Sequence, residues 1–183
     1  MVKKRFDLDM VLKLHVKCLN NEDGGEHADL QSANLRYADL RSVDLRSADL
    51  QYADLQYANL RSADLRYADL RYADLRSANL QSANLQSADL QSANLQSADL
   101  RYADLRSANL QSADLQSADL DFSCLPLWCG SFNMIVDDNI LEQVLTHVKM
   151  LDISKCSKEN QELVGLIPDR VKDKLHKRHD LEI

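Results

Sequence analysis

Cys124, Cys129 and His147 are the nearest this chain comes to a ligand set, and as thiolates and an imidazole they would suit a soft divalent metal. Their spacing argues otherwise. The four cysteines, Cys18, Cys124, Cys129 and Cys156, show neither a CxxC pair nor the density of a secreted disulfide scaffold, so they read as reduced thiols packed near the chain ends. His176 and His179 lie in a charged terminal stretch and read as solvated. There is no Ser-His-Asp grouping and no glycine loop to cradle a phosphate. Serine is abundant only because it fills a repeated position. The sequence therefore assigns no catalytic, cofactor-binding or metal residue and predicts a protein that is not an enzyme.

What the sequence does specify is an element. From Ala28 to Phe122, nineteen five-residue units of the form Ala-(Asp/Asn)-Leu-(Arg/Gln)-(Ser/Tyr) follow one another without insertion. Leu recurs at every fifth residue from Leu30 to Leu120, and Ala stands two places before each except where Val43 replaces it. An α-helix turns about 100° per residue, so a five-residue step turns about 140° and scatters the leucines around the whole circumference. Helix propensity of Ala, Leu, Arg and Gln does not override this, because propensity is weaker than packing. As extended chain, Ala-Asp-Leu instead places Ala and Leu on one side and Asp or Asn on the other. The two remaining residues turn a corner. Repeated at constant length, this winds a solenoid with Leu and Ala inside and coils stacked at about 4.8 Å. Neither Gly nor Pro occurs between Ala28 and Leu120, so Ser, Asp and Asn must supply the turn chemistry.

Tandem A(D/N)LXX resembles the pentapeptide-repeat proteins over about half the chain. The resemblance implies a mainly β fold, a right-handed quadrilateral parallel β-helix with four repeats per coil. Leu30, Leu50, Leu70, Leu90 and Leu110 would then stack in one inner column, and Tyr52 would neighbour Tyr72 as Tyr37 neighbours Tyr57. Asp29, Asp49, Asp69 and Asp89 would also align. Calcium needs roughly six to eight converging oxygens, and a flat ladder of single carboxylates interleaved with Arg does not converge. Opposed like charges cost about 0.2 to 1 kcal/mol, which accounts for Asn59, Asn79 and Asn109 interrupting the columns.

The flanks read as end-pieces. A 1–27 segment places Leu8, Val11, Leu12, His15, Cys18 and Leu19 near helical spacing with Asp7 or Asp9 as cap, and Gly24 and Gly25 turn into the first coil. His15 reads as a cap-packing residue rather than a catalytic one. The solenoid spans 28–127, and 128–183 forms a plug beginning at Trp128, followed by a helix carrying Ile140, Leu141, Val144, Leu145 and Val148 and by more helix up to the basic Lys172 to Arg178 stretch.

Formal charge is −7, with no basic segment, so direct nucleic-acid binding is not expected. No apolar run spans a membrane and no signal-peptide core begins the chain, which predicts a soluble cytoplasmic protein without cofactor or small-molecule ligand. Each outer position draws almost entirely on two residues. That regularity points to a designed or consensus array, a synthetic structural scaffold with natural-like helical caps. The alternative implied by the resemblance is an acidic DNA-mimic-like protein engaging a type II topoisomerase, DNA gyrase, as some family members do. Family members also dimerise through C-terminal segments, so the resemblance leaves a homodimer through the tail open.

Overall fold

The computed structural model describes residues 7–124 and Ile140. The chain divides into two compact units, Met1–Val136 and Asp137–Ile183. The expected plug from Trp128, the C-terminal helices beyond Ile140, Cys129, Cys156, His147, His176, His179 and a dimerising tail lie outside the described residues. Ile140 is helical and buried.

The first element is helix α1, Leu8–Leu19. Of the two caps the sequence offers, Asp7 is the one used, its carboxylate accepting from the Met10 N–H at 3.2 Å, and Asp9 lies in the first turn. Asn21 ends it in the left-handed conformation at φ 56°. The Glu22 N–H then donates to the Lys17 carbonyl and the Asn21 N–H to the Cys18 carbonyl, the Schellman pattern that satisfies the last turn.

From Ala28 onward the chain makes a corner every five residues and returns to the same side after twenty. Parallel bridges link Asp29 to Asp49, Asp49 to Asp69, Asp69 to Asp89 and Asp89 to Asn109, and the other three sides stack in the same register. The leucine columns are therefore those the resemblance implied, and every Leu from Leu40 to Leu120 is fully buried. Each side is shorter than the expected strand: pairing is reduced to one bridge residue, the Asp or Asn throughout the array, because the corner claims the next two positions.

One repeat shows why the second position admits so little variety. In Ala68–Tyr72, the Ala68 N–H closes the preceding corner on Leu65, the Asp69 N–H reaches back to Ala48, and the Leu70 and Tyr72 N–H groups reach forward to Asp89 and Gln91. Only Arg71 N–H points into the corner, and Asp69 Oδ1 accepts it at 3.2 Å. All five donors are thus satisfied. Asp or Asn two residues earlier does this for every repeat, from Gln31 on Asp29 to Asp121 on Asp119. The Asx turn expected from composition is the device that closes each corner.

Serine contributes differently from expectation. Every fifth residue from Ser32 to Phe122 takes positive φ, between 55° and 61°, and Tyr does so as readily as Ser. The Leu(i) carbonyl to Ala(i+3) N–H bond with positive φ at the third residue is the type II arrangement, normally filled by glycine. The fold holds L-residues there because the corner N–H is locked to the next coil. Ser77→Val should therefore destabilise by about 1 to 2 kcal/mol in urea unfolding, because a β-branched residue tolerates this region poorly. Ser77→Gly should be neutral or stabilising.

The repeat register persists past the array. Ser123 fills an inner Ala position, its Oγ donating to the Leu120 carbonyl at 2.7 Å, and Cys124 bridges to Asp104.

Candidate interaction surface

The outer surface is a lattice of carboxylates and guanidiniums set by the corner geometry. Where Asp precedes Arg by two, the Arg folds back onto its own repeat: Arg71 Nη2 lies 2.6 Å from Asp69 Oδ2, with Nε on Oδ1 at 2.9 Å. Arg41, Arg46, Arg66, Arg76, Arg101 and Arg106 do the same. The arginine hydrogen bonds hold the Asp39, Asp44, Asp69 and Asp104 carboxyls below the usual range. At Asp74 and Asp99 burial opposes this, yet Arg76 and Arg101 prevail. Burial pushes Asp119 up instead. The guanidinium side of each pair stands a third or more in solvent, which screens the attraction, so the pairs add little to stability one by one. The Asp-x-Arg spacing was legible in the sequence, but nothing in the period alone turned the two side chains toward each other.

Glutamine occupies the same niche. Gln56 Nε2 donates to Asp74 at 2.7 Å across coils, and Gln96 likewise to Asp114. Asn109 Nδ2 donates to Asp89 Oδ1 at 3.0 Å, so an amide joins two coils where a second carboxylate would repel.

Tyr37 stacks on Tyr57 and Tyr52 on Tyr72, with centroids 5.1 and 4.9 Å apart, as the twenty-residue register requires. Tyr102 with Phe122 at 4.9 Å is a third pair, missed in the sequence because Phe122 stood outside the Ser/Tyr alphabet although it holds the register.

His15 joins α1 to the first coil. It is fully buried, its Nδ1 accepting the Ala28 N–H at 3.0 Å. The neutral ring then carries its proton on Nε2, which is buried without a hydrogen-bond partner. Burial, reinforced by His27 with its ring centroid 5.8 Å away, depresses the His15 pKa. The expected packing role is the observed geometry. Cys18 is half-buried and Cys124 exposed, both free thiols, and among the described residues no three of His, Cys, Asp and Glu converge to hold a metal. The aligned aspartates form ladders, each already committed to its own corner.

A family model for pentapeptide repeats (8 copies) matches residues 26–61, 58–96 and 88–125. The chain belongs to the pentapeptide-repeat family. Pentapeptide-repeat proteins are right-handed quadrilateral β-helices, and the twenty-residue coil with four corners is that quadrilateral. Among solved structures, the chain is similar to the pentapeptide-repeat protein Rfr23 from the cyanobacterium Cyanothece 51142, with 36% identity over 53% of this chain and 62% of that one, at a TM-score of 0.45. HetL, a pentapeptide-repeat protein involved in heterocyst differentiation regulation from Nostoc sp. strain PCC 7120, is 34% identical over 60% of this chain and 58% of its own, at a TM-score of 0.36. QnrB1, a plasmid-mediated fluoroquinolone resistance protein, is 17% identical over 68% and 72%, at a TM-score of 0.33. The chain thus spans about six-tenths of the length of Rfr23 and HetL. No curated protein sequence matches the chain. Among the described residues no helix is long and apolar enough to cross a membrane.

Proposed function

We propose that this pentapeptide-repeat protein is a non-catalytic structural scaffold, a consensus-built solenoid working in the cytoplasm. One observation carries the reading: the backbone bonds of a repeat are the same whichever outer residues it holds. The corner bond is 3.2 Å in Asp69-Leu70-Arg71 and 3.1 Å in Asp89-Leu90-Gln91, and Tyr72 and Ser92 both reach the next coil. A sequence alternating freely between interchangeable letters on an invariant frame fits a surface laid out for the fold rather than for one ligand. Domains at 1–27, 28–127 and 128–183 belong to the same reading.

A second reading has a specific observation behind it. The side bearing Asp29, Asp49, Asp69 and Asp89 carries a single arginine, Arg71, so this face is distinctly acidic. A rod with such a face fits an acidic mimic of duplex DNA engaging DNA gyrase. A gyrase supercoiling assay separates the two. The scaffold reading expects unchanged supercoiling at micromolar protein, and inhibition at sub-micromolar concentration overturns it in favour of the second.

A further inference from the structure

The ion-pair lattice has one gap. The corner geometry offers each array arginine two carboxylate positions, one two residues back in its own repeat and one eighteen residues on in the next coil. Arg46 uses both, Asp44 at 2.6 Å and Asp64 at 3.8 Å, and so does Arg71 with Asp69 and Asp89. Arg36, whose own repeat holds Asn34, still reaches Asp54 at 3.5 Å. For Arg61 both positions are amides, Asn59 and Asn79. Asn59 Oδ1 is already taken by the Arg61 backbone N–H at 3.2 Å. Among the described residues Arg61 is the array arginine left without a carboxylate partner, an exposed cation on a chain of net charge −7.

A surface groove of about 510 Å³ lies at this corner, lined by Asp39, Arg41, Ser42, Arg61 and Ser62. Both corner residues are serines, so no tyrosine ring covers it, in contrast to the Tyr37–Tyr57 corner. Arg41 is oriented by Asp39, which binds its Nε and Nη2 at 2.7 and 2.6 Å. Stacked coils set the two repeats about 4.8 Å apart, so donors approach from two levels. A planar carboxylate is matched by one guanidinium fork; oxygens on a tetrahedral centre match donors at two levels.

We infer that the groove between Arg41-Ser42 and Arg61-Ser62 is a binding site for a phosphate group, held by the uncompensated Arg61 guanidinium with the Ser42 and Ser62 hydroxyls and the outer edge of Arg41. Asp39 neutralises Arg41 and limits the site to net charge of one, so affinity is on the order of millimolar and falls with added salt. This departs from the sequence expectation of no small ligand. It stands whether or not the scaffold reading does.

The test is phosphorus NMR line broadening of inorganic phosphate, and separately of O-phosphoserine, titrated with the full chain at constant ionic strength. Asn59→Asp gives Arg61 the in-repeat partner that Asp64 gives Arg66, and should weaken binding about tenfold, as should Arg61→Gln. Arg76→Gln removes a compensated arginine and should leave binding unchanged. All three variants create repeats the array already contains, so circular dichroism should be unaltered. Tighter binding of O-phosphoserine identifies a phosphomonoester as the ligand; tighter binding of inorganic phosphate identifies the free ion. Binding that survives Asn59→Asp, or falls equally in Arg76→Gln, overturns the proposal.

Discussion

Leu70→Ala should destabilise the solenoid by about 2 to 5 kcal/mol, toward the upper end of that range. Leu70 is fully buried with coils on both sides, in the column of Leu50 and Leu90. Cavities are least costly where the surroundings collapse into them. Here collapse is opposed, because Asp69 N–H to Ala48 at 3.0 Å and Leu70 N–H to Asp89 at 2.7 Å fix the coil spacing above and below. Arg71→Gln at the next residue should leave the urea midpoint nearly unchanged, since solvent screens the guanidinium's pairs with Asp69 and Asp89 and Gln51 and Gln91 stand in the same column. Urea unfolding compares the two directly. Equal effects would mean that the inside and outside of the coil are wrongly assigned.

The inner columns were legible because a period of five excludes a helical stripe while leaving Ala and Leu on one face of extended chain. The count of four repeats per coil was not contained in that period and came from the resemblance. Nor was the conformation of the corner. Ser and Tyr at positive φ run against their local preference, and from Ser32 to Tyr102 the bond of that residue's N–H to the following coil, such as Tyr72 to Gln91, makes this conformation the one that satisfies the backbone. Asp and Asn at the second position were read as turn formers, and that local chemistry survived intact as Oδ1 bonds to the residue two later. The gap at Arg61 is visible in the letters once the two-residue and eighteen-residue offsets are known, but those offsets are facts of the fold.

Gly25→Ala should detach α1 from the first coil while leaving the remaining coils folded. A Cβ at Gly25 would sit 2.2 Å from the Cys18 nitrogen, 2.5 Å from its Cα and 2.6 Å from the Lys17 carbonyl carbon. All three are backbone atoms of the helix, so no rotamer change relieves the clash and the connecting loop must lift. That loop carries the Glu26 N–H to Leu14 bond at 3.1 Å and leads into Ala28, whose N–H is held by His15. Gly24→Ala is the control, because its Cβ meets nothing and only its φ of 74° resists, at a cost of about 1 kcal/mol. His15 reports the difference. Docked, burial holds its pKa below the ordinary 6.5, so docking favours the neutral ring; its stabilising effect is complete above that value and is lost as pH falls below it. In Gly25→Ala the imidazole should titrate near its ordinary value, and in Gly24→Ala it should stay depressed. Detachment also uncovers Ala28 and Leu30, which are buried in the intact chain, and leaves an apolar coil edge with unpaired backbone groups. Light scattering should therefore show association that grows with concentration in Gly25→Ala alone. If the two glycine variants titrate and scatter alike, the helix is not what protects this end of the solenoid.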